Sequence, residues 1–245
     1  MFYFIIQYSL FIIQYSFFMF SPEEVLKIHK DNGAEIHAPI NIFTNNIKIV
    51  KGIILDWDGV FTNGIKGEND HSGFSEIDAM GLNLLRFSLW NRVKIMPQIF
   101  IVTGMHNPSA VAFARRESLT AVYQGVKQKD KAIQHIKENF NTVPKELICV
   151  FDDVLDMAMA KDCALRFLVN RKSNPLFIKY VKNKKWCDYI TSSNSGENPV
   201  REICEFLIGI GGNYEKTLDD RINFASNYTQ YWEERKAIIP NNYEL

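Results

Sequence analysis

The chain has no surplus of either charge, since its 28 lysines and arginines are matched by 28 aspartates and glutamates. A partner held by a broad electrostatic field, such as nucleic acid or an anionic membrane surface, needs such a surplus. Neither is an expected partner, and binding has to be sought at a local site. Cysteine is scarce: Cys149, Cys163, Cys187 and Cys204 stand without the close pairs that metal and redox sites use. They read as reduced structural residues of a cytoplasmic protein. Between Lys51 and Ile210 no linker divides the chain. At 47% hydrophobic and 23% charged over 245 residues, the composition suits one substantial core rather than extended disorder.

The first 20 residues lack any charged side chain, and with it the basic start of a secretory signal; a small-residue cleavage site is also missing. Phe-Ile-Ile-Gln-Tyr-Ser occurs at positions 4–9 and again at 11–16. The segment is barely long enough to span a bilayer, Gln7 and Gln14 weaken it, and no basic flank precedes Lys27 and Lys30. A short perfect repeat is what translated low-complexity upstream sequence looks like. Translation from Met19 is therefore the expected account of residues 1–18, with a membrane anchor as the alternative. Over 19–50, Ser21-Pro22-Glu23-Glu24 supplies an N-cap, an N1 proline and an acidic first turn. The helix it opens is expected to run to about Lys30 and to stop at Asp31-Asn32-Gly33, and the stretch to Asn46 reads as loop.

What the chain does have is a series of short apolar runs, each ending in a polar turn. Ile53-Ile54-Leu55 shows no polar alternation, the pattern of a strand buried on both faces. Asp56 and Asp58 follow, on the same side of an extended chain, with Trp57 on the other. Gly59 allows a tight turn. Two carboxylates held together repel, and a divalent cation with a phosphate nearby gives them a reason to be there. A plain polar loop is the competing reading of an Asp-Gly pair. Gln98 to Val102 is a second buried strand; Thr103-Gly104 and a helix from Pro108 to Ser118 then place a hydroxyl and backbone amides where an anion can be held. Thr120 to Tyr123 is a third, followed by Lys127, Lys129 and Lys131 on a helix to Phe140. Lysines there usually form a solvated face, and one of them pointing inward is the alternative. Leu147 to Phe151 is a fourth, ending in Asp152, Asp153 and Asp156. Leu165 to Val169 and Asp188 to Thr191 read as later strands, and Met80 to Trp90 and Pro199 to Ile210 as amphipathic helices. Ile65 to Phe74 has the form of a β-hairpin turning over 68–73, with His71 at its tip as a solvated residue. Strands alternating with helices predict an α/β fold, a Rossmann-like parallel sheet flanked by helices, with the site at the carboxyl ends of the strands.

Taken in order, Asp56-Trp57-Asp58-Gly59-Val60 with Thr62, then Thr103-Gly104, then Gly125 to Lys129, then Asp152-Asp153 to Asp156, resembles the four-motif set of the haloacid dehalogenase superfamily. Within it the chain is similar to the capless phosphatases of 3-deoxy-D-manno-octulosonate 8-phosphate and of related nonulosonate 9-phosphates. Phe74 to Leu85, Tyr123 to Val126 and Val200 to Ile203 support that likeness, which covers roughly Lys51 to Ile210. It implies a phosphatase domain over 51–210 with a β-hairpin flap and no large cap domain, acting on a small sugar phosphate of lipopolysaccharide biosynthesis. By the resemblance Asp56 is the nucleophile that forms an aspartyl phosphate and Asp58 the general acid and base. Thr103 and Lys129 hold the transferring phosphate, Lys129 standing four residues after Gly125. Mg²⁺ is held by Asp56, the backbone carbonyl of Asp58 and Asp152, with Asp153 in support. Thr62, Gly104 and Asp78 are implied as substrate-binding positions, and a homotetramer as the assembly, with each hairpin closing a neighbour's site.

The chain departs from that pattern at Met105 and Ile77, where arginine is common, and at Phe151, where glycine is common. Loss of two cations bears on the sugar-acid preference, because arginine binds a carboxylate or phosphate through two bonds. A bulky Phe151 is expected to displace Asp152. The extension over 211–245 matches nothing in the pattern. Two other readings follow: a phosphatase of another small phosphate ester, and a noncatalytic interaction protein of the same fold.

Overall fold

The structure, a computed structural model, describes residues 20–66 and 73–245. In chain order the elements are α1 (Pro22–Asp31), β1 (Glu35–Ile36), α2 (Ile40–Asn46), β2 (Gly52–Leu55), α3 (Glu76–Val93), β3 (Gln98–Val102), α4 (Pro108–Glu117), β4 (Ala121–Gln124), α5 (Lys129–Phe140), β5 (Leu147–Phe151), α6 (Met157–Ala160), β6 (Leu165–Asn170), α7 (Pro175–Lys184), β7 (Tyr189–Asn194), α8 (Pro199–Ile210), α9 (Tyr214–Ile222), α10 (Ser226–Lys236) and β8 (Asn241–Glu244). The strands form one eight-stranded sheet in the order β1-β7-β6-β5-β2-β3-β4-β8. Every neighbouring pair is parallel except β1 with β7. The direction of winding reverses between β5 and β2, and in an open α/β sheet the crevice beyond the strand ends at such a point is where ligands bind.

Alternation along the strands builds two cores. Ile53, Leu55, Ile101, Val150 and Phe167 face one side, under α3, α4 and α8. Ile54, Phe100, Tyr123, Cys149 and Phe151 face the other, under α5, α6 and α7. With both faces covered, the strands carry apolar runs in place of polar alternation.

Several expectations are revised. The first helix has its capping box, Ser21 Oγ accepting from the Glu24 amide at 3.2 Å and Glu24 Oε2 from the Ser21 amide at 2.7 Å. The loop expected up to Asn46 instead contains β1 and α2, the latter anchored by fully buried Phe43. The helix expected over Met80 to Trp90 begins earlier, at Glu76, because the Ser75 hydroxyl caps the Ile77 amide at 3.1 Å. The hairpin expected over Ile65 to Phe74 lies mostly outside the described residues, as does His71; its described ends, 65–66 and 73–74, carry no strand. Residues 1–18, with the expectation of a start at Met19, also lie outside them. Among the described residues no helix is long and apolar enough to cross a membrane.

Residues 211–245 join the fold. α10 lays Tyr228 and Tyr231 against Phe87 and Trp90 of α3, and Trp90 Nε1 donates to Glu234 at 2.7 Å. The chain then returns as β8, in parallel register with β4 from Ala121–Asn241 to Gln124–Glu244.

Candidate active site

β2 and β5 run side by side with Leu55 opposite Val150, and the Asp56 amide donates to the Val150 carbonyl at 3.1 Å. The loops that follow these strands therefore leave the sheet together. Asp56 lies on the side of Ile54, while Trp57 points to the opposite core, stacked on Phe61 at 5.1 Å and packed on Phe113 at 5.5 Å. That aromatic anchor fixes the loop carrying Asp56 and Asp58. Gly59 takes φ of +95°, and a Cβ there would come within 2.1 Å of Asp152 Oδ2 and of the Arg171 guanidinium. Glycine is thus required both by the backbone conformation and by the approach of Asp152.

The cleft, of about 260 Å³, brings Asp56, Asp58, Thr103, Gly104, Lys129 and Asp152 together. Lys129, only 3% exposed, opens α5 and points inward. Its ammonium lies 2.6 Å from Asp56 Oδ1 and 2.5 Å from Asp156 Oδ1. Lys127 and Lys131 remain exposed, so one lysine of the three is the buried one. Burial works against the Lys129 charge, but Asp56 and Asp156 outweigh it and its pKa is raised. Asp156 Oδ2 accepts from the amides of Asp152 and Asp153 at 3.2 and 3.1 Å, which ties the loop after β5 into a compact turn. Asp152 approaches the same cluster, with Arg171 Nε 2.8 Å from its Oδ2.

Asp56, Asp152 and Asp156 each offer an oxygen within 4.8 Å of the others. Burial, with Asp56 and Asp156 beside it, pushes the Asp152 carboxyl up to about 9. Burial and Asp156 push Asp56 up to about 6, against the pull of Lys129. Asp152 Oδ1 is buried and has no hydrogen-bond partner among the described residues. Crowded carboxyls short of positive charge, with an unpartnered oxygen among them, fit a hard divalent cation.

The Asp58 carboxylate turns away from this cluster. Its Oδ2 receives Asn107 Nδ2 at 2.9 Å and pairs with Lys66 at 3.0 Å, while the Thr62 hydroxyl lies 3.5 Å from Oδ1. Asn107 Nδ2 also reaches Thr103 Oγ1 at 2.6 Å, linking Asp58 to the turn after β3. One carboxylate thus sits beside an ammonium within the acidic cluster, and a second stands across the cleft among hydrogen-bond donors. Such a pair suits nucleophile and proton-transfer roles in acyl or phosphoryl transfer.

No protein-family profile matches the chain. It is 25% identical over 191 residues to the 3-deoxy-D-manno-octulosonate 8-phosphate phosphatase of Escherichia coli K12, covering 76% of this chain and 93% of that protein. Among solved structures, the enzyme of that description from Yersinia pestis superposes with a TM-score of 0.60 at 21% identity, over 71% of this chain and 89% of the other. The enzyme of that description from Moraxella catarrhalis, solved in complex with a magnesium ion, a phosphate ion and a KDO molecule, superposes with a TM-score of 0.60 at 20% identity, over 75% of this chain and 99% of the other. The chain is similar in sequence to these phosphatases and shares their fold.

Three of the residues that the resemblance implies lie apart from the carboxylate cluster. Asp153 is exposed at the rim, its carboxylate accepting from the Val154 amide at 2.7 Å, and Asp156 takes the third place in the carboxylate cluster. Asp78 is 1% exposed and lies outside the cleft; its Oδ1 accepts from the Arg201 amide at 2.8 Å, capping the start of α8. Thr62 is buried behind Asp58, accepting from the Gly64 amide at 3.1 Å, so it orients that carboxylate rather than lining the cleft. Phe151 does not displace Asp152 from the cluster, because its side chain is fully buried in the core that Ile54 and Cys149 share with it, beneath the sheet end. Met105 lines the cleft and Ile77 lies outside it, exposed on the first turn of α3. Lys66, Asn107 and Arg171 bear on the site without a motif to announce them. Asn107 precedes Pro108 at a helix start and so reads as an N-cap, yet its side chain makes no capping bond and turns to the cleft.

A pH dependence follows. Asp152 and Asp56 are protonated in the folded, metal-free protein at pH values where the unfolded chain has lost those protons, since ordinary aspartates titrate near about 3.9. The stability they contribute is complete below that value and is lost as pH rises, through about 6 for Asp56 and about 9 for Asp152. Each costs roughly 1.4 kcal/mol per pH unit within its window. Thermal unfolding is expected to show metal-free protein less stable at pH 8 than at pH 5. A divalent cation binds the ionised carboxylates, so its stabilising effect is expected to be larger at pH 8.

Proposed function

We propose that the protein is a Mg²⁺-dependent phosphatase that hydrolyses a sugar-acid phosphate such as 3-deoxy-D-manno-octulosonate 8-phosphate through an aspartyl phosphate. The observation that carries this reading is Asp56 at the end of the central strand, bound to a buried lysine and set against Asp152 with its unpartnered oxygen. Asp56 attacks phosphorus; the ester P–O bond breaks, and its electron pair leaves on the sugar oxygen, which takes the proton of Asp58. Water then attacks the aspartyl phosphate, Asp58 accepts its proton, and the acyl–phosphate bond opens to restore the Asp56 carboxylate and release phosphate. Lys129 and Thr103 neutralise and orient the equatorial oxygens, the electrostatic stabilisation on which phosphoryl transfer mainly depends. Asp56, the Asp58 carbonyl and Asp152 would hold Mg²⁺, with Asp156 fixing the loop between them. The ion supplies positive charge to the transferring phosphoryl group.

The relatives named for the octulosonate phosphate support this substrate class, and Lys66 and Arg171 supply cations near the cleft in place of the arginines absent at 77 and 105. A second reading, another small phosphate ester including a nonulosonate 9-phosphate, is favoured by Met105, whose side chain occupies the cleft wall. A homotetramer in the cytoplasm belongs to the same proposal. Phosphate release from a panel of sugar phosphates, with and without Mg²⁺, tests it. Mg²⁺-dependent turnover, fastest on the octulosonate phosphate, is expected; release from none of them would favour a noncatalytic role.

A further inference from the structure

β8 is the outermost strand, and its polar sequence Asn241-Asn242-Tyr243-Glu244 has little reason to form a strand by itself. It is held in part by Tyr243, stacked on Tyr123 at 5.1 Å. A hydrogen-bonded path leads from it into the cleft. Gln124 Nε2 donates to Asn242 Oδ1 at 3.0 Å. Gln124 Oε1 accepts from the Asn107 amide at 2.8 Å. The Asn107 side chain then donates to both Asp58 Oδ2 and Thr103 Oγ1.

Each link has a physical reason. Asn107 is fully buried, so its amide needs a partner, and α4 gives it none at an N-terminal position. The Gln124 oxygen satisfies that amide only while the amide group of the side chain is turned with its NH₂ towards β8, and Asn242 Oδ1 rewards that orientation. A flipped Gln124 would set an N–H against an N–H. With its backbone fixed, the Asn107 side chain is free to leave helix capping and hold Asp58.

Resting on the phosphatase reading above, we infer that Asn242 is a remote positioning residue: the C-terminal strand, acting through Gln124 and Asn107, holds Asp58 where it protonates the departing sugar oxygen. The strand is then part of the acid–base machinery, and this is a role for the extension that lies outside the four motifs.

The test exploits leaving groups. A sugar alkoxide departs only with a proton, whereas p-nitrophenolate departs without one. Asn242→Leu removes the acceptor at an exposed position and leaves the core untouched. Its kcat/KM on the best sugar phosphate is expected to fall about tenfold, a part of the roughly 10²–10⁴-fold that a positioned general acid contributes. On p-nitrophenyl phosphate the fall is expected to stay within about twofold, since proton donation contributes little there. Asn242→Asp keeps an oxygen acceptor for Gln124 and is expected to restore the sugar-phosphate rate. Equal losses on both esters, no loss on either, or failure of Asn242→Asp to restore the rate would overturn the inference while leaving the phosphatase reading intact. A wild-type protein inert on both esters would overturn that reading, and the inference with it.

Discussion

Asp56→Asn is expected to abolish phosphate release, by on the order of 10⁴-fold or more, as removal of a covalent nucleophile does. The same variant is expected to be as stable as the parent or more so when metal-free at pH 8. Asparagine preserves the shape of the side chain and removes a charge that burial and Asp156 already disfavour, as the rise of Asp56 to about 6 records. Lys129 keeps a carboxylate partner, because Asp156 Oδ1 stands 2.5 Å away. Phosphate assays paired with thermal unfolding check both halves. An inactive variant that has also lost its cooperative transition would contradict the account, since the loss would then come from unfolding rather than from chemistry.

Lys129→Met is expected to produce the largest loss of stability. The ammonium bridges Asp56 and Asp156 inside the protein, and methionine fills its volume without its charge. Breaking a buried ion pair from one side costs about 3–5 kcal/mol, because the remaining charges are left uncompensated. Here two carboxylates lose their partner beside a third, Asp152, already short of positive charge. The cost is expected in full at pH 8 and to shrink towards pH 5, where Asp56 and Asp152 take up protons. Urea unfolding at the two pH values measures it. A loss under about 1 kcal/mol at pH 8 would mean that the cluster is better solvated than its burial indicates.

The central strands and the order of the chemical motifs are legible in the sequence because β2, β3 and β5 are buried on both faces and each ends in a turn whose residues carry chemistry. The edges are not legible for the converse reason. β1 is two residues long and β8 is polar, each pairs on one side alone, and neither has an apolar pattern to mark it. α2, with three asparagines in seven residues, has weak helix propensity and is held by Phe43 packing rather than by its own preference. Within the site, Asp56, Asp58, Thr103, Lys129 and Asp152 meet in one cleft, whereas Asp156, to which the resemblance gave no role, joins the carboxylate cluster and Asp153 stays at the rim. A short acidic turn can present either residue inward, and the 3₁₀ helix over Val154–Asp156 decides for Asp156. Lys66, Asn107 and Arg171 reach the cleft from loops and a helix start, where no local pattern reveals a side chain's direction.

Identification of the group that carries the phosphoryl bond tests the central claim most directly. Protein quenched in acid during turnover of a sugar phosphate with Mg²⁺, then digested and mapped by mass spectrometry, is expected to carry phosphate on Asp56. Given p-nitrophenyl phosphate, whose leaving group departs without a proton, the Asp58→Asn protein, unable to activate water, is expected to accumulate more of it. Turnover with no phosphorylated peptide in either protein, or with the label on another residue, would contradict the account.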